Sequence, residues 1–135
     1  MGSLELLDRV VAGLVLYIHI LGATVWIGGL IVVAALVPAV RKVTTDREVI
    51  RAIARRFGVL SWIALGSQVL TGAWMAADRV WDTVLITKIS LVLVSAVLAG
   101  WHTMAARSQS PALRGAIQGV ILILALVILG LAINV

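Results

Sequence analysis

Four apolar runs, at 10–40, 57–77, 84–106 and 115–135, take up most of this 135-residue chain and strand its charges in the connections between them. A helix needs roughly 20 apolar residues to cross about 30 Å of hydrocarbon, and each run reaches that length. In lipid the backbone N–H and C=O groups must be satisfied within the segment itself, so such runs become helices. Composition agrees, with 62% of residues hydrophobic and 13% charged, against about 25% charged in a water-exposed domain. The expectation is an all-α integral membrane four-helix bundle, a single transmembrane domain over 1–135. The lipid bilayer is its first partner, and a multi-pass place in the cell (inner) membrane follows. The chain has no cysteine, which excludes disulfide scaffolds, zinc ribbons and thiol enzymes.

The basic residues are unevenly placed. Arg41, Lys42, Arg47, Arg51, Arg55 and Arg56 lie between the first two runs, and Arg107 and Arg114 between the last two. The other side carries Arg9 and Arg79, with Lys88 a little inside the third run, offset by Glu5, Asp8, Asp78 and Asp82. The positive-inside rule then puts both termini outside the cytoplasm. It also accounts for the formal charge of +5 without any nucleic-acid partner. Glu5 and Asp8 speak against a cleaved signal peptide, whose first region is positive. The first run is therefore read as retained, and as tilted or extended at its amino-terminal end. Thr45 with Glu48 three residues on reads as a capping box. It opens a basic amphipathic lead-in whose Val49, Ile50, Ile53 and Phe57 oppose Arg47, Arg51 and Arg55, lying at the inner surface before the second run enters the membrane. Ser110 and Pro111 read as the N-cap and first residue of the last helix.

The few polar residues within the runs form stripes. His19 and Trp26 are seven apart, with Gly22, Ala23 and Gly29 on the same helical face, which outlines a shallow groove between two aromatic rings. Ser61, Gln68 and Met75 repeat at seven in the second run, joined by Thr71 and Gly72. Lys88, Ser95 and His102 repeat at seven in the third. Such stripes must face protein or a cofactor, because polar groups exposed to hydrocarbon are costly. At about 1.5 Å per residue, His19 lies about 33 Å from Arg41, Met75 about 28 Å from Arg56 and Lys88 about 28 Å from Arg107. All three belong to the outer interface. His102, about 8 Å from the inner level, belongs to the other leaflet.

These positions suggest a cofactor chemistry. His19 can ligate haem iron through one ring nitrogen, with the Met75 thioether opposite. Lys88 can neutralise a propionate, Trp26 can stack on the ring, and the Gly22/Ala23 groove can admit a flat macrocycle. The residues equally allow His19 to hydrogen-bond a neighbouring hydroxyl or carbonyl while Met75 packs. His102 is open between an interfacial anchor, a second metal or haem ligand and a proton relay. Copper handling is the alternative, with His19 and Met75 gathering the ion outside and His102 and Met104 receiving it inside, about 20 Å away. A third alternative is a non-catalytic membrane scaffold that packs through the 115–135 run. Gly22, Gly28 and Gly29 can serve close helix packing with no cofactor at all.

The stretch His19-Ile-Leu-Gly-Ala-Thr-Val-Trp26-Ile-Gly-Gly29 resembles the histidine-to-tryptophan signature that opens membrane domains of the copper-resistance D (CopD) family. The wider order is similar to the HemJ-type protoporphyrinogen oxidases: His19 and Trp26 in the first helix, Arg56 before a second helix ending in Gly72 and Trp74, then Trp81, Lys88 and His102. The resemblance covers the first three runs. After the tryptophan the chain reads Leu30-Ile-Val-Val-Ala-Ala-Leu-Val-Pro38, where HemJ-type proteins carry an aromatic-rich stretch ending in Leu-Pro-Arg. The resemblance implies a four-helix bundle, often oligomeric, that holds haem b or handles copper, with His19 and Lys88 matching the HemJ-type functional positions. Together these expectations describe a homo-oligomeric haem b protein with His19 as axial ligand. It would act in electron transfer or as a HemJ-like oxidoreductase in porphyrin redox chemistry, with a redox partner the sequence does not name.

Overall fold

The computed structural model describes residues 2–106 and 108–133. Arg107, used above to mark the inner surface, and Asn134 and Val135 of the last run lie outside the described residues. Four helices account for nearly everything else: α1 (Ser3–Val43), α2 (Arg47–Ala76), α3 (Thr83–Ala105) and α4 (Pro111–Ala132). All four are long and apolar enough to cross a membrane. Their 41, 30, 23 and 22 residues correspond to about 62, 45, 35 and 33 Å of helix. α3 and α4 match the hydrocarbon thickness over their whole length, and α2 matches it over its apolar part, after Arg47, Arg51, Arg55 and Arg56. α1 extends past its apolar run at both ends and passes through Pro38 without breaking. The basic lead-in is not a separate surface helix, for α2 runs unbroken from Arg47 into its apolar part.

The helix starts follow from local chemistry. Ser110 Oγ accepts from the Leu113 N–H at 3.2 Å and Pro111 begins α4, as the Ser-Pro pair predicts. Asp82 caps α3 through the Leu85 N–H at 2.8 Å. At α2 the expected Thr45–Glu48 capping box is replaced. Asp46 is the cap, accepting from the Glu48 N–H at 2.8 Å, and Thr44 Oγ1 accepts from the Asp46 N–H at 3.1 Å. A carboxylate at the positive end of the helix is favoured over a hydroxyl. Glu48 turns outward to pair with Arg51 Nη1 at 2.5 Å.

α1 packs along α2, α3 along α4, and the two hairpins join through α1 and α4. α2 and α3 are consecutive, yet their backbones stay further apart, and the Trp62 ring reaches across to Gly100. The core gathers Trp26 and Leu30 of α1, Ala64 and Leu65 of α2, and Ile117, Ile121 and Ala125 of α4, with Ala96, Leu98 and Ala99 of α3 against it. The α4 residues are spaced by four, the period of a helix with one buried face. Lipid tails are as apolar as these side chains, so association depends on close fit more than on removal of apolar surface.

That fit is tightest between α1 and α2. A Cβ added at Gly22 would collide with Ser67 Oγ, would stand 2.9 Å from Gln68 Nε2 and 3.2 Å from the Ala64 carbonyl oxygen. At Gly29 it would meet Phe57 Cε2 at 2.6 Å, whereas Gly28 has nothing within 4 Å. The Gly22 groove is thus filled by α2, and Trp26, 5% exposed, lies in the core. Neither is free to receive a macrocycle. Gly22→Val is expected to lower stability by about 1–3 kcal/mol, since the Ala64 backbone cannot yield, while Gly28→Val stays near neutral. Thermal unfolding in detergent measures both, and equal melting of the two variants would refute the seam.

Candidate functional site

The site around His19 is built by α1 and α2 together. The stripe Gln68, Thr71 and Gly72 faces protein as expected, and the element it meets is the His19 turn of α1. Gln68 Nε2 donates to the His19 carbonyl oxygen, which already belongs to the helix ladder, and so locks the two helices in register. The His19 ring lies over Gly72, where a Cβ would stand 3.4 Å from its Cε1. Thr71 Oγ1 is 2.7 Å from His19 Nδ1 and 2.5 Å from the Ser67 carbonyl oxygen. A hydroxyl has one hydrogen, and the short contact to Ser67 takes it. Thr71 therefore accepts from Nδ1–H, and the lone pair of the neutral ring sits on Nε2. Nε2 has no hydrogen-bond partner among the described residues.

This is the arrangement that prepares an imidazole to bind a metal: one nitrogen held by a neighbour, the other available. Lys88, half-buried near the start of α3, and Arg79, in the turn before it, belong to the same end of the bundle as His19. Two cations therefore stand at that end. Met75 is half-buried one helical turn beyond Thr71 on the same face of α2. Among the described residues no three His, Cys, Asp or Glu side chains group as a metal site.

The opposite end carries the second histidine. His102 Nδ1 is 3.0 Å from Gln109 Oε1. An amide oxygen only accepts, so Nδ1 again carries the hydrogen and Nε2 the lone pair, without a partner among the described residues. Gln109, 7% exposed, also accepts at its carbonyl from Arg114 Nε at 3.1 Å. Its own amide nitrogen is buried and unpartnered. Sequence reasoning missed Gln109, because a glutamine in a Ser-rich turn reads as filler; its one signal is a spacing of seven from His102 across that turn. Met104, two residues beyond His102, is 87% exposed on another face of α3.

The Thr71–His19 and Trp62–Gly100 contacts place the histidines about 16 Å apart along the bundle axis. Lys88, Ser95 and His102 all face inward, half-buried, fully buried and half-buried in turn. Ser95 and Ser61 carry buried hydroxyls with no partner among the described residues. No family model, curated protein or solved structure matches the chain. What the geometry offers is therefore read from the side chains alone: two oriented imidazoles, each with an Nε2 that has no partner among the described residues, one held by a hydroxyl and one by an amide. Nitrogen NMR of histidine-labelled protein should show His19 protonated at Nδ1 and bare at Nε2. Thr71→Val should erase that preference and Thr71→Ser retain it; a wild-type ring protonated at Nε2 would overturn the assignment.

Proposed function

We propose that this is a multi-pass protein of the cell membrane that binds haem b through His19 and works in electron transfer or porphyrin redox chemistry. The observation that carries the reading is the His19 ring, anchored at Nδ1 by Thr71 with Nε2 left to donate its lone pair. The resemblance of His19–Gly29 and Lys88 to the CopD and HemJ-type pattern supports it. Haem bound there would supply a one-electron couple. Thr71, by accepting from Nδ1–H, fixes the ring and raises the donor strength of Nε2. Lys88 and Arg79 offer positive charge to propionates and favour the less positive, reduced state of a nearby iron. Met75 supplies a thioether at the same end as a further ligand. Gly22 and Trp26 shape the seam behind His19, and His102 lies too far away to share its metal.

A homo-oligomer with an unidentified redox partner belongs to this reading, and so does an orientation with both termini outside the cytoplasm. Spectra of the detergent-purified protein test the cofactor. A Soret band that sharpens on dithionite reduction is expected, lost in His19→Ala, with affinity for added haem weakened about 10–100-fold in Thr71→Val. Featureless spectra, before and after added haem, would refute it. Orientation is tested separately, because the chain has no cysteine of its own. Asp78→Cys should react with an impermeant maleimide on intact spheroplasts and Thr45→Cys only after lysis.

A further inference from the structure

The two hairpins end at different heights on the basic side. Gly29 of α1 meets Phe57 of α2, and Trp62 of α2 meets Gly100 of α3. α3 ends at Ala105, five residues past that second contact, and so about level with Phe57. α2 begins at Arg47, ten residues before Phe57, and α1 runs on to Val43. The α1–α2 hairpin therefore stands about 15 Å proud of the α3–α4 turn. Arg55 and Arg51 precede Trp62 by seven and eleven residues, two and three helical turns, and Arg47 precedes the core residue Leu65 by five turns. Arg41 follows the core residue Leu30 by three turns. All four arginines thus continue the faces that lower down pack on α3 and α4, and all four are exposed.

Neither topology nor helix stability asks for that alignment. The positive-inside rule counts charges and is indifferent to face. Cations in the first turns of a helix, as Arg47 and Arg51 are, oppose its dipole. Glu48 meets Arg51 at 2.5 Å, and no other ion pair forms among the described residues. We propose that this arginine ledge above the α3–α4 turn binds the headgroup of an anionic phospholipid. The headgroup layer is about 5–8 Å thick. Arg55 stands about 3 Å and Arg51 about 9 Å beyond Phe57, so the pair brackets the phosphates, which a guanidinium grips through two parallel N–H bonds. Arg47 and Arg41 stand higher and reach down with flexible stems. A zwitterionic headgroup adds an ammonium that the ledge repels. A dissolved anion or an acidic protein segment has to compete with phosphates that the bilayer already holds at that depth. The ledge requires neither haem nor a particular orientation in the membrane.

Native mass spectrometry of the whole protein, released from detergent after equilibration with phosphatidylglycerol or phosphatidylcholine, tests the ledge. Phosphatidylglycerol should be retained in preference, and the preference should fall about fivefold in Arg51→Gln and in Arg55→Gln. Arg55→Lys, which keeps the charge, should lose less than Arg55→Gln. Arg56 lies on the other flank of α2, so Arg56→Gln, which removes the same charge, should behave as wild type. Arg47→Gln is read in parallel, so that one misfolded variant, recognised by circular dichroism, leaves the test standing. Equal retention of the two lipids would overturn the site, as would equal losses in Arg55→Gln and Arg56→Gln, the mark of a diffuse field. Displacement of bound phosphatidylglycerol by an equal concentration of inorganic phosphate or of hexaglutamate would assign the ledge to a dissolved anion or to an acidic protein segment and overturn it too.

Discussion

Everything around His19 depends on how closely α1 and α2 approach at Gly22. Without a hydrophobic drive between helices in lipid, the pair is held by fit and by the few polar bonds that fit allows. The missing side chain at Gly22 lets Ser67 and Gln68 into van der Waals range, and Gln68 then reaches the His19 carbonyl. That same approach sets Thr71 against the His19 ring one turn away. A packing residue thereby decides which nitrogen of a distant imidazole holds its proton. Gly22 serves the site without touching anything that could bind there.

The two histidines arrive at one protonation pattern by different chemistry. At His19 a hydroxyl that has already spent its hydrogen on a carbonyl can only accept; at His102 an amide oxygen can do nothing else. In both, Nδ1 points into protein and Nε2 is left available. Neither ring is free to serve as a general hydrogen-bonding anchor, which separates them from the exposed tryptophans Trp74, Trp81 and Trp101. What distinguishes the rings is what holds them, a hydroxyl at His19 and an amide at His102.

The four helices were legible because lipid enforces run length, and the α4 start because Ser110 and Pro111 act within one turn. The stripe at 61, 68, 71 and 75 was legible as an inward face, since periodicity reports direction. What a stripe faces is set by neighbouring helices, and there the sequence was mute. The Gly22 face looked like an open groove and is occupied by α2; Trp26 looked like a wall of that groove and is core. Asp46 took the cap assigned to Thr45 because two adjacent candidates compete and the charged one interacts better with the helix end. Gln109 was missed because its role depends on a turn returning it to His102, and a spacing of seven that crosses a turn does not by itself announce a contact.

The unequal helix lengths carry a mechanical consequence. α3 and α4 are about as long as the hydrocarbon is thick, while α1 and α2 are longer and are bound side by side. A membrane that thins or thickens acts first on α1, whose apolar run of 31 residues exceeds the hydrocarbon, while the apolar parts of the other three helices are already near its thickness. His19 rides on that long helix and His102 on one of the short ones. The depth of the His19 imidazole, and so the polarity around it, becomes a property of the bilayer as much as of the chain.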